Sequence, residues 1–320
     1  MCSPRLPWAA SFAALVLVLL FHVPCRGETA QEIYHAALSS FSMPLNDLME
    51  KEHDSEWRNL FSGFSGNVAF NYPLADTVEE SRGPDGTQTE SGFRKATVSA
   101  TFKYNPLSYW FASVTFYGYL NFDESNPWCP DCRAPWDPDF SYVFGYDDWH
   151  PYTFSLTYAN YGGNRLNPDK EKGEKVTDFS SGTYSLGWKF LIPRSVEELF
   201  IVHPTGGLGG GINYNLTPTY SDLASGEEKS WKQSLSLTLK YTIYKWWYAT
   251  ITCYYYPRPD QQQPWDPDYT YGFGYFDWHP GTVSVQYNNY SGNRYPWNDS
   301  PEDTGSFKYG SISVLWSWVW

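Results

Sequence analysis

From Lys95 to Tyr104 the chain reads KATVSATFKY, with Ala96, Val98, Ala100, Phe102 and Tyr104 alternating one for one with Lys95, Thr97, Ser99, Thr101 and Lys103. Successive side chains of a strand point to opposite faces, so this stretch predicts a strand with one apolar and one polar face. The same period returns in SLSLTLKYTIY, where Leu235, Leu237, Leu239, Tyr241 and Ile243 alternate with Ser234, Ser236, Thr238, Lys240 and Thr242. It recurs at Trp110, Ala112, Val114 and Phe116, and again at Trp247, Ala249, Ile251 and Cys253.

Carried along the chain, this pattern predicts strands at about 64–73, 93–105, 109–122, 139–147, 152–161, 181–193, 208–218, 232–244, 246–257, 268–276, 282–290 and 307–320. Their connections sort by length. Those near 105–108, 148–151, 244–245 and 277–281 are short, and those at about 74–92, 123–138, 162–180, 219–231, 258–267 and 291–306 are long and polar. Short turns at one end and long loops at the other, joined by strands of about ten residues, are the sequence pattern of a membrane-spanning barrel. Composition agrees, since 20% of the residues are aromatic while the mean hydropathy is only −0.51. Rings on a polar chain suit a wet surface that meets an apolar one.

The final segment places Ile312, Val314, Trp316, Trp318 and Trp320 at every other position. With these features, residues of roughly 60 to 320 resemble a Gram-negative outer-membrane β-barrel protein. The resemblance is one of class and names no subfamily. It implies an all-β fold, a transmembrane antiparallel β-barrel, and residence in the outer membrane after signal-peptide cleavage. It also implies contact with outer-membrane lipids and lipopolysaccharide, and recognition of the last strand by the barrel-assembly machinery.

The stretch from Pro135 to Arg165, PWDPDFSYVFGYDDWHPYTFSLTYANYGGNR, returns from Pro264 to Arg294 as PWDPDYTYGFGYFDWHPGTVSVQYNNYSGNR, with 21 of 31 positions identical. The repeat extends outward, since KATVSATFKYN matches KQSLSLTLKYT and residues 110–115 match 247–252. Two homologous halves, about 63–193 and 205–320, would each supply six strands to one barrel of about twelve, leaving no edge unpaired in the membrane. The aromatic sets Tyr142, Phe144, Tyr146 and Tyr271, Phe273, Tyr275 face lipid or lumen according to register. Lipid is the preferred assignment, with Gly145, Gly272 and Gly274 inward; a ring-lined pore is the alternative.

Ahead of the strands, Arg5 and an apolar run from about Trp8 to Val23 predict a secretory signal peptide over residues 1–27. Residues 28–62 have helical spacing at Ile33, Ala36, Ala37 and Phe41 and predict a periplasmic helical leader. That segment, over 28–60, could also dock a periplasmic partner.

Chemistry is sparse. Pairing about the turn near 148–151 brings Arg165 toward Asp137 and Asp139, and Arg294 toward Asp266 and Asp268, at the long-loop rim. A salt bridge that pins strand register is the plainer reading, and solute binding at the mouth, with Trp136, Trp265 and Trp297 against sugar rings, is the sharper one. Inward Lys103 and Lys240, with Lys95 and Lys232, give the lumen basic character. His35 and His53 precede the barrel, while His150, His203 and His279 fall at its short-turn end, so no histidine is placed for acyl chemistry at the outer leaflet. Cys129 and Cys132 form half a metal-ligand set and read as a small disulfide loop, and Cys253 as a small hydrophobe on the apolar face. The glycines at 206–211 lack the Gly-Lys-Ser/Thr ending of a phosphate loop. A net charge of −13 opposes nucleic-acid binding.

The chain is therefore expected to be a channel or export pore for a hydrophilic solute, with a neutral oligo- or polysaccharide as the favoured cargo, no enzyme activity and no cofactor. The rival readings are a structural or adhesive barrel with a filled lumen, and an outer-membrane hydrolase using rim carboxylates.

Overall fold

The computed structural model describes residues 63–319, except 76, 83–87, 94, 108, 123–127, 130–136, 149, 172, 198–206, 222–226, 245, 264–265, 278–280, 291–292 and 299–305. The signal peptide, the helical leader, His35, His53, His203, His279, Trp136, Trp265 and Cys132 lie outside the described residues.

Twelve strands close into one antiparallel barrel. They are β1 (Phe64–Pro73), β4 (Lys95–Leu107), β5 (Trp110–Asn121), β6 (Phe140–Asp147), β7 (Phe154–Asn160), β8 (Thr183–Leu191), β9 (Gly207–Ser221), β10 (Glu228–Tyr244), β11 (Trp247–Tyr255), β12 (Tyr269–Tyr275), β13 (Val283–Asn289) and β14 (Ser311–Val319). Each pairs with its sequence neighbour, and β1 closes the ring on β14, with Ser65 opposite Val319 and Pro73 opposite Ser311. All twelve predicted strands are present, with ends displaced by a few residues. The loop expected at 74–92 differs, because it carries a separate hairpin of β2 (Thr77–Arg82) and β3 (Gln88–Phe93). Its residues, TVEESR and QTESGF, have too few apolar positions to announce strands by alternation.

Following the ladder of paired residues once around the ring returns to β1 displaced by about 16 residues. With strands about 4.8 Å apart, twelve strands at this shear tilt by about 45° and place the wall roughly 12 Å from the axis. That is wider than an eight-stranded barrel, whose interior side chains fill, and narrower than a sixteen-stranded porin.

The register sorts every strand into two faces. Val68, Ala100, Phe116 and Phe140 fall on one continuous outer row, and Phe144, Tyr158 and Tyr184 on another. Phe144 and Phe273 are 42% and 43% exposed on this convex face, so the aromatic sets of β6 and β12 point out of the barrel, as preferred from the sequence. Glycines 145, 272 and 274 take the inward positions between them. Exposed rings gather at both ends of the outer face. Tyr104, Trp110, Phe154 and Trp247 mark the short-turn end, and Phe122, Trp128, Phe179, Tyr255 and Phe307 the long-loop end. Rings at both ends of an apolar outer face are the profile of a lipid-embedded barrel.

The inner face carries hydroxyls and amides that bond across strands. Thr101 meets Thr115 and Thr238 meets Thr252, each at 2.9 Å, and Ser185 donates to Asn215 at 2.7 Å. The first two pairs occupy equivalent rungs of the two halves, so the sequence repeat is also a structural one.

The loops that return to β8 and β14 are clamped in the same way. The hydroxyls of Tyr158 and Tyr287 donate to the carbonyls of Phe179 and Phe307 at 2.8 Å, and each ring stacks on that phenylalanine. Gly182 and Gly310 allow this approach, since a Cβ at either would overlap the tyrosine hydroxyl. Gly310→Ala is therefore expected to cost about 1–3 kcal/mol through overpacking, read as an earlier urea midpoint with the native strand content retained.

Candidate functional site

Two regions of the barrel bring polar groups together, the long-loop rim and the inner wall. At the rim, the repeated PWDPD and GNR segments meet as the sequence predicts. The Arg165 guanidinium donates to the Asp137 carbonyl and lies 3.8 Å from the Asp139 carboxylate and 3.5 Å from Glu174. The Asp139 carboxylate also accepts the backbone N–H of Leu166 at 3.0 Å. In the second half Arg294 donates to the carbonyls of Asp266 and Gln263 and lies 3.5 Å from Asp268. Asp268 accepts the N–H of Tyr295 at 2.9 Å, the Asn298 amide at 2.6 Å and the Gln262 amide at 2.8 Å.

The neighbouring asparagines complete each clamp. Fully buried Asn164 donates to the Phe140 carbonyl and Asn293 to the Tyr269 carbonyl, both at 3.0 Å. Asn160 and Asn289 reach the loop carbonyls of Asp178 and Ser306. From below, the hydroxyls of Tyr119 and Tyr256 donate to the carbonyls of Pro138 and Pro267. The nearby carboxyls press the Tyr256 hydroxyl, already raised by burial, further above its usual range. Lys175 and the Ser180 N–H and hydroxyl hold the Asp178 carboxyl down to about 2. These asparagine and tyrosine partners escape a reading that weighs charged residues first; their equal spacing in the two repeats is the signal that reveals them.

Lys95 and Lys232 reach up the inner wall to Asp137 and Asp266. Both DPD segments are thus held by an arginine from one side and a lysine from the other. Trp297, the described member of the rim tryptophans, is 76% exposed and stacks on Tyr295 at 4.7 Å. Cys129 is disulfide-bonded. Cys253 is free and lies in the outer-face row between Leu237 and Tyr269.

Along the inner wall most of the long side chains stand on two strips, with Lys189 on β8 and Leu315 on β14 outside them. Lys103, Phe111, Tyr117 and Tyr119 stand on β4 and β5, and Lys240, Tyr248 and Tyr254 on β10 and β11. These strand pairs lie six places apart in the ring of twelve, on opposite walls. Between them β6, β7, β9, β12 and β13 present mainly Gly, Ser, Thr and Asn. The cross-section is therefore narrowed along one diameter and left wide along the other.

Catalytic geometry is thin. His150 Nδ1 and Asp148 are 2.6 Å apart at the short-turn end, and among the described residues no group of three or more His, Cys, Asp or Glu could hold a metal ion. Asp139 and Asp268 are each engaged by an arginine and a backbone N–H.

No family model matches the chain, and no curated protein matches it. Among solved structures, an outer membrane channel from Pseudomonas putida F1 aligns over 81% of this chain and 95% of its own, with 9% identity and a TM-score of 0.35. Salmonella typhi OmpF, in complex with daunomycin, aligns over 80% and 97%, with 8% identity and a TM-score of 0.30. A Rhodopseudomonas blastica porin triple mutant aligns over 80% and 99%, with 8% identity and a TM-score of 0.23. At these TM-scores the likeness carries no argument about this chain.

Proposed function

We propose that the protein is an outer-membrane channel for hydrophilic solutes. The observation that carries this reading is the wall itself. A closed twelve-stranded ring at this shear has a radius of about 12 Å, and inward serines, threonines and glycines occupy only the outer 3 to 4 Å of it. A water-filled path remains between the two strips of longer side chains, and the outer face, belted by rings at both ends, meets lipid. Solute would pass by diffusion, without a cofactor.

The rim clamps are structural in this reading. Arg165 and Arg294 each tie a backbone carbonyl of the DPD segment and a neighbouring carboxylate to the GNR segment, and so fix the long loops. Sugar contact at the mouth falls to the exposed Trp297 and its stacked Tyr295, a platform for the apolar face of a saccharide ring. A hydrolase built on Asp139 or Asp268 is disfavoured, because both carboxylates are engaged by arginine.

Liposome swelling tests the reading. Vesicles holding the purified protein should swell in isotonic monosaccharide and more slowly in larger oligosaccharides. Vesicles that do not swell in any sugar, although the barrel has folded, would favour the filled-lumen rival.

A further inference from the structure

We infer that Lys103 and Lys240 form an anion-selective constriction at the short-turn end of the lumen, and that the preferred cargo carries negative charge. This rests on the channel reading and revises the neutral cargo expected from the sequence.

The inward lysines differ in their ion pairs. Lys95 pairs with Asp137, Lys232 with Asp266 and Lys189 with Asp147. Lys103 and Lys240 have no such ion pair among the described residues. Each ammonium instead lies over an inward ring, Lys103 over Phe111 at 4.7 Å and Lys240 over Tyr248 at 4.6 Å. A ring face attracts a cation without cancelling its charge. Opposite Phe111 and Tyr248 stand Gly145 and Gly274, and just beyond them Asp147 flanks Lys103 in the first half while the Phe276 ring lies 6.0 Å from the Lys240 ammonium in the second.

The two units face each other. β4 and β10 are six strands apart in the ring of twelve, and Lys103 beside Ser113 occupies the same rung of its half as Lys240 beside Thr250. From walls about 24 Å apart, side chains reaching inward by about 6 Å leave roughly 12 Å between the ammonium groups. The screening length in physiological salt is about 8 Å, so the two fields overlap at the axis.

A difference between the halves points the same way. The Asp147–Lys189 pair of the first half stands at positions taken by Phe276 and Ser317 in the second, so both charges are absent together and the balance of the wall is unchanged. A lysine without an ion pair among the described residues occurs in both halves, and the Asp147 and Lys189 charges that both act on Lys103 are of opposite sign. At the opposite end the inward lysines are neutralised by Asp137 and Asp266. The net charge of −13 belongs to the whole chain and does not set the local potential at this level. A ring beside each cation favours an anion with a flat apolar face, such as a sugar acid or another cyclic carboxylate.

The test is a reversal potential across a planar bilayer under a KCl gradient. The wild-type protein is expected to pass chloride several-fold more readily than potassium, and K103Q/K240Q to bring that ratio close to one. D147N/K189Q, which removes a neutral pair, should leave the ratio unchanged. Glucuronate should reduce the current at several-fold lower concentration than glucose, and K103Q/K240Q should erase that difference. Conductance without anion preference, or a preference that survives K103Q/K240Q, overturns the constriction while the channel reading stands. A folded barrel that passes no current overturns both.

Discussion

Arg165→Met is expected to destabilise the barrel by about 3–5 kcal/mol, measured as the urea midpoint of unfolding from lipid vesicles followed by tryptophan fluorescence. The guanidinium is 2% exposed, donates to the Asp137 carbonyl and lies at ion-pair distance from the carboxylates of Asp139 and Glu174. Methionine fills much of its volume and supplies no donor. The cost is the desolvation of acceptors that lose their partner, which exceeds what the pair contributes when intact. Arg294→Met should fall at or below the lower end of that range. Its carboxylate partner Asp268 keeps three neutral donors, from Tyr295, Asn298 and Gln262, and Arg294 is itself less deeply buried. Equal losses at the two sites would show that the neutral donors around Asp268 contribute little.

The second large effect separates the two faces of one strand. Ile251 is at the centre of β11, 43% exposed on the outer face between Leu239 and Tyr271. If that face meets hydrocarbon, Ile251→Arg should cost about 2–4 kcal/mol in a bilayer. On a barrel surrounded by water the same substitution, at a half-exposed position, should change stability by no more than about 0.5 kcal/mol. Reconstitution yield and urea unfolding in vesicles both read the difference, and a neutral outcome would contradict a lipid-facing exterior.

Much of the fold was legible because a barrel strand is specified locally. Alternation at Lys95–Tyr104 or Ser234–Ile243 identifies both the strand and its faces, and a repeat of six strands predicts closure at twelve. The orientation of Tyr142, Phe144 and Tyr146 was harder. A turn one residue longer would have turned them inward, and register is settled only by pairing with β5 and β7. The β2–β3 hairpin was not legible, because pairing outside the membrane needs no apolar face.

The rim was half legible. Spacing about a predicted turn placed Arg165 and Arg294 near their aspartates, since ladder pairing is simple counting. It could not show that Asn164, Asn293, Tyr119 and Tyr256 complete the clamps, because loop geometry has no period to count. The wall charges were the least legible part. Lys95, Lys103, Lys232 and Lys240 look alike in the sequence, and only the folded loops bring Asp137 and Asp266 to two of them.

Single-channel conductance of the purified protein in a planar bilayer tests the central claim, that the wall encloses an open path. Steady current steps are predicted, and Thr252→Trp, a bulky change on the inner face beside Thr238, should reduce their size while Ile251→Val leaves it unchanged. A correctly folded barrel that inserts and remains silent would contradict the account.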